Sequence, residues 1–196
     1  MANFIPRIEW NDITVVGDSS IGSPTLTSVV STSSVIVGMI INHTNFPANS
    51  KVLSKTVNSI TFDNNATIAS TAASFPLFQR LDFDYPSYKQ VEPTYEPTEV
   101  VSESLSGSRQ TQINNIIKKI DAEFRFVTNA IKLRLETEFY TTWAVYGKDF
   151  RYYESKDVAS YENYALDNLD FKPVREIAKS GNFLYKIPFK FRRIYL

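Results

Sequence analysis

Two carboxylate pairs and one histidine are the residues of this sequence best suited to chemistry. Asp82 and Asp84 stand two positions apart, as do Asp121 and Glu123. On a strand, residues i and i+2 project to one face, and two carboxylates so placed are the equipment of glycoside hydrolysis. Carboxylates along a strand are far commoner as solubilising groups, so these pairs do not point to an enzyme. His43 lies among turn-forming residues with no nucleophile and base arranged near it, which reads as a surface-turn histidine. Asp63, Asn64 and Asn65 offer oxygens to calcium, but the EF-hand spacing is absent and an Asn-rich turn explains them. No dinucleotide fingerprint, P-loop or H-E-x-x-H motif occurs, and the sequence has 0 cysteines. The expectation is a non-enzyme with no catalytic residue, no cofactor and no metal. Asn42-His43-Thr44 and Asn65-Ala66-Thr67 match the glycosylation sequon, which carries weight only in a cell that glycosylates secreted proteins.

The pair Asp121/Glu123 sits in the most readable stretch of the chain, from Ser106 to Tyr153. From Ile116 to Phe126 the residues alternate. Ile116, Lys118, Ile120, Ala122, Phe124 and Phe126 take one side, and Ile117, Lys119, Asp121, Glu123 and Arg125 the other. This period of two predicts a strand with one face on a core and one polar face. A helix of about five turns is expected next, over about 128–146. Thr128 is placed to cap its start, Gly147 to end it in a left-handed conformation, and Ile131, Leu135, Phe139 and Trp143 to form its core stripe. The segment KDFRYYES then returns to strand character.

The whole composition narrows the function classes. A net charge of +0 argues against a general nucleic-acid binder, which needs a basic field to neutralise phosphates. The opening MANFIPRIEW has no basic region followed by an apolar run, so no secretory signal is expected, and no apolar run reaches a membrane-spanning length. The 11 tyrosines and 14 phenylalanines suit a β-rich fold or a large protein interface.

Between Thr14 and Phe75 the composition changes. Only Asp18, Lys51, Lys55 and Asp63 are charged there, and short β-branched runs alternate with turn formers such as Gly22-Ser23-Pro24 and Asn64-Asn65. This reads as a module of four to six short strands. Its Gly-Ser opening, Thr/Ser-rich strand, VGM step, Phe46-Pro47-Ala48-Asn49 turn and closing SITF run resemble a β-bead repeat recurrent in bacteriophage tail and other virion proteins. Asn42-His43-Thr44-Asn45 replaces the glycine-rich turn usual before the proline.

With 14–75 set aside, the remaining order is IPRIEWNDI, LDFDYPSY, a Pro-punctuated segment holding Pro86, Pro93 and Pro97, the long strand, the helix and further strands. The Pro-rich segment is expected to run extended over the surface, outside any central strand. This order is similar to distal tail and tail-tube-like proteins of tailed phages. The resemblance implies a mainly β fold: a tail-tube-like β-sandwich with one packed α-helix from 1–13 and 76–196, and a small all-β inserted module at 14–75. It further implies a structural virion protein that associates with copies of itself in a ring, a hexamer being one closure, and with neighbouring tail proteins. DNA would pass through the lumen without specific binding, and no membrane is involved. The location implied is the virion tail, assembled in the bacterial cytoplasm. A capsid decoration protein or carbohydrate-binding adhesin, and a head–tail connector or tail-completion protein, remain as alternatives.

Candidate interface residues follow from the alternation. Lys119, Asp121, Glu123 and Arg125 form the polar face of the long strand, and mixed charges at interfaces set register. In FLYKIPFKFRRIYL, Lys186, Lys190, Arg192 and Arg193 make a basic end, either a solvated face or one meeting DNA or an acidic neighbour.

Overall fold

A computed structural model describes residues 5–85, 93–103, 109–167, 171–179 and 182–195. The fold is mainly β, with antiparallel sheets and one helix. Its strands are β1 (Arg7–Ser19), β2 (Thr25–Leu26), β3 (Ile40–Ile41), β4 (Val52–Lys55), β5 (Ile60–Phe62), β6 (Ser70–Asp82), β7 (Thr94–Glu103), β8 (Arg109–Thr128), β9 (Phe150–Tyr153), β10 (Glu162–Leu166), β11 (Val174–Lys179) and β12 (Asn182–Tyr195). Helix α1 (Asn129–Arg134) continues as a π-helical turn over Leu135–Tyr140 and closes in a 3₁₀ turn over Ala144–Tyr146. The chain forms two compact units, one of residues 9–80 and one of residues 1–8 with 81–196. The composition break at Thr14 and Phe75 lies inside the first unit, because β1 and β6 each run past it with apolar residues such as Trp10 and Phe78 buried.

The 9–80 unit has its own core. Strands pair in the orders β3–β6–β1 and β2–β5–β4, and the apolar runs from each converge on Leu26, Met39, Phe46, Ile60, Phe62 and Phe75. Phe46 lies 4.7 Å from Phe62 and 6.2 Å from Phe75, ring centre to ring centre. Buried Asn45 is satisfied by donating to Ser19 Oγ at 2.9 Å and Ser70 Oγ at 2.7 Å, as a buried amide must be. Gly17 is a packing requirement. A Cβ there would stand 2.8 Å from the Thr27 carbonyl oxygen and 3.0 Å from Leu26, and the backbone atom cannot swing away. Gly17→Ala is therefore expected to destabilise by about 1–3 kcal/mol, read as a lower thermal midpoint, although alanine normally favours a strand over glycine.

In the other unit the sheet runs β9–β10–β12–β8–β7, with β11 also on β12. Its central pair is β8 and β12, in antiparallel register from Leu184↔Thr128 to Tyr195↔Ile116. Ile120, Ala122 and Phe124 of β8 meet Ile187, Phe189 and Phe191 of β12 on the buried face, as alternation demands. The alternation stops at Phe124. Between Tyr185 and Ile187 of β12 the partner residues on β8 step from Val127 to Phe124, so β8 carries one extra residue. Phe126 takes it up at φ 58° and turns outward, and Val127 becomes the buried residue. Phe126 was expected on the core side; the bulge reverses that.

The helical segment departs from the expected five-turn α-helix. Thr128 Oγ1 accepts from Ile131 N at 3.4 Å, and Gly147 closes the segment at φ 68°. Between them Thr141 N bonds to Glu136 O, five residues back, at 3.1 Å. Such a turn inserts a residue into the helical phase. Leu135 and Phe139 keep the expected spacing of four and are buried, but the next buried residue is Ala144, not Trp143. Trp143 instead donates through Nε1 to Asp149 O at 2.8 Å. Phe139 anchors the segment edge-on to Phe150 at 5.0 Å and to Phe189 at 6.4 Å.

The Pro-rich segment also differs from a surface connector where it is described. Residues 94–103 form β7, the terminal strand of the sheet, paired with β8 from Thr94↔Lys119 to Glu103↔Arg109. An edge strand leaves half of its amides unpaired, so Pro97 costs little there. Pro86, Ser180 and Gly181 lie outside the described residues. Pro188 occupies a related gap: β11 pairs β12 as far as Lys186, β10 begins at Phe191, and neither reaches 188.

Candidate functional site

The polar face of β8 is built by the same alternation that buries its other side. Lys119, Asp121, Glu123 and Arg125 project together, and antiparallel register sets Arg192 opposite Lys119 and Lys190 opposite Asp121. Around them stand Glu96 of β7, Glu176 of β11, Asp167 just after β10, and Lys186 of β12. The result is a charge ladder. Lys119 Nζ lies 2.8 Å from Glu96 and 3.5 Å from Asp167, and Arg192 lies 4.0 Å from Asp167. Glu123 meets Lys186 at 2.8 Å and Arg125 at 3.7 Å, and Arg125 reaches Glu176 at 2.6 Å. The hydrogen bond to Glu96, and the charge of Asp167 behind it, hold the Lys119 ammonium above its ordinary pKa.

The rungs differ in how far they are open. Arg125 and Glu176 are mostly covered, and Glu176 Oε2 is buried with no hydrogen-bond partner among the described residues. Arg125→Ala is therefore expected to cost about 1–3 kcal/mol, since it strands a buried carboxylate, against at most about 1 kcal/mol for an exposed pair. Urea unfolding of this variant beside Arg192→Ala measures the contrast. Asp121 and Lys190 are the open rung, 4.0 Å apart with side chains 67% and 57% exposed.

Arg193 does not join this face. Register places it opposite Lys118, and both turn to Glu162, Lys118 at 2.5 Å and Arg193 at 3.5 Å. Tyr164 Oη also donates to Glu162. Burial pushes the Glu162 carboxyl up, but these donors and cations outweigh it and leave it below its usual value. The basic end is thus divided between two faces, and Lys190, Arg192 and Arg193 each have a carboxylate within 4.0 Å.

Three members of the ladder were not picked out from the sequence. They are Glu96, Glu176 and Asp167, and Asp167 lies just past the end of β10, where only its pairing with Lys119 and Arg192 marks it. Glu96 and Glu176 belong to strands hidden by prolines nearby, with VREIAK after Pro173 the only sign of β11.

The residues best suited to chemistry are occupied elsewhere. Asp82 accepts from Arg7 Nε at 2.9 Å. Asp63 Oδ1 accepts from Lys51 N at 2.7 Å and Asn64 Nδ2 at 2.9 Å. His43 shapes its turn, its Nδ1 accepting from Asn45 N at 3.2 Å and its ring lying 4.6 Å from Phe75. Among the described residues no group of three His, Asp or Glu is placed to hold a metal ion, and no helix is long and apolar enough to cross a membrane. No protein-family model, curated protein or solved structure matches the chain.

Proposed function

We propose that this chain is a structural subunit of a tailed-phage virion, a ring-forming tail protein of the distal-tail or tail-tube-like kind that acts by associating with copies of itself and with neighbouring tail proteins. The observation that supports it is the far end of β8. Residues 109–115 pair with β7 alone, because β12 ends its register at Ile116. Among the described residues no strand lies on the other side. A two-stranded ribbon is marginal in water, and its open edges are hydrogen-bonding templates for another chain. A closed ring satisfies such edges with a heterologous, head-to-tail contact repeated around an axis. The charge ladder suits the same role, because paired opposite charges choose register between neighbours and do not create a net basic field. DNA passing through a lumen lined by this face would then meet paired charges in place of a basic surface. The test is localisation. Antibody against this protein is expected to label the tails of purified particles, and its absence from every particle would contradict the proposal.

A second reading, capsid decoration or adhesion, draws on the 9–80 unit. Val30 and Val57 are 88% and 85% exposed, and Val29 N donates to Asn58 O at 3.0 Å, so the two segments are adjacent. Exposed aliphatics in a charge-poor surface mark contact sites. Label on the head in place of the tail would favour this reading.

A further inference from the structure

Away from the charge ladder, the turn between β9 and β10 borders a half-open cavity of about 360 Å³, whose lining includes Tyr152, Glu154, Ser155, Val158, Tyr161 and Glu162. Its walls hold two carboxylates and no cation. Glu162 is already matched by Lys118 and Arg193, whereas Glu154 has no partner among the described residues. Tyr152 is the second observation. It is 4% exposed and lines the cavity, yet its hydroxyl makes no hydrogen bond among the described residues. A tyrosine so deeply buried normally finds a partner for its hydroxyl.

We propose that this cavity binds an alkylammonium group, with the Glu154 carboxylate and the Tyr152 hydroxyl accepting its N–H bonds and the alkyl stem lying along Val158. The lining selects this chemistry. Carboxylates repel anions. The ring faces that would stack a sugar or a planar ligand are taken: Arg151 lies 5.2 Å over Tyr161, Tyr153 is 5.3 Å from the same ring, and Tyr152 packs on Phe191 at 5.4 Å and Tyr164 at 6.2 Å. What remains is a set of oxygen acceptors, and a ligand that brings several N–H donors and a positive charge answers them. Burial, reinforced by the Glu154 charge, pushes the Tyr152 hydroxyl well above the ordinary tyrosine range, so it keeps its proton and offers only lone pairs to a cation. The volume exceeds what a bare metal ion needs and admits a lysine-length chain.

The ammonium could belong to a free amine or to a lysine of a neighbouring chain, and the test has an arm for each. In NMR titrations n-butylammonium is expected to shift the tyrosine ring signals saturably, at least about tenfold more tightly than n-butanol, which has the same shape without the charge. Glu154→Gln is expected to weaken it about tenfold or more. Tyr152→Phe is expected to weaken it about fivefold with the thermal midpoint unchanged, since the hydroxyl it removes has no partner among the described residues. Carbodiimide coupling of Glu154 to a lysine of a second copy assigns the ammonium to the neighbour, and n-butylammonium binding without that cross-link assigns it to a free amine. Equal binding of n-butanol and n-butylammonium, or undiminished binding by Glu154→Gln, would overturn the proposal. None of these results depends on a ring, because a monomer would bind in the same way.

Discussion

Phe191→Ala is expected to remove about 3–5 kcal/mol of folding stability, the upper range for deleting a core aromatic. Phe191 is 1% exposed and stands where β12 meets β8 and β10, opposite Ile120 and Leu166. Its ring lies 5.1 Å from Phe150, 5.4 Å from Tyr152, 5.8 Å from Phe189 and 6.0 Å from Tyr164. Truncation loses the transfer energy of the ring, the aromatic contacts, and the packing of a cavity bounded by strands that cannot collapse without breaking their ladders. Since whole domains are stable by only about 5–15 kcal/mol, the variant should stand near the threshold of folding. In urea the midpoint should fall by about 1–3 M if the slope is unchanged. Phe191→Leu should recover much of the loss. A change below about 1 kcal/mol for the alanine variant would mean that the ring does not hold the sheet together.

Reversing the open rung is expected to do the opposite, sparing the fold and damaging assembly. Asp121→Lys places a third cation beside Lys190 and near Lys119, yet the lost pair was exposed and long, so folding should change by at most about 1 kcal/mol. At an interface the same change opposes like charges with less water between them, and association should weaken by about tenfold or more. The double variant Asp121→Lys with Lys190→Asp separates the two effects. It restores the internal pair but inverts the pattern presented to a neighbour, so assembly should stay impaired. Full assembly by both variants would make this face solvent-facing and leave the core argument untouched.

The sequence carried the local part of this structure clearly. The period of two placed Ile120, Ala122 and Phe124 on one face and Lys119, Asp121 and Glu123 on the other, because alternation is intrinsic to a strand. Thr128 and Gly147 marked the helix ends through their own side-chain and backbone preferences. What it did not carry depends on partners far along the chain. The bulge that turns Phe126 outward arises where β8 must match β12, some sixty residues away in sequence. The π-turn that exchanges Trp143 for Ala144 reflects how the last turn seats on the sheet, and a phase shift of one residue leaves almost no mark in composition. The edge strand β7 was masked by Pro97, whose cost is small only because the strand lies at an edge. For the ladder, four of its members were legible from alternation on β8, three more from alternation on β12, and its cross-strand partners Glu96, Glu176 and Asp167 only from the register.

Sedimentation equilibrium on the purified protein tests the central claim, self-association, most directly. The chain has a mass of 22.4 kDa. The account predicts a concentration-dependent mass that rises to a fixed multiple of that value and falls back toward it in Asp121→Lys. A mass of one chain at every concentration, in a protein that also never enters a particle, would contradict it.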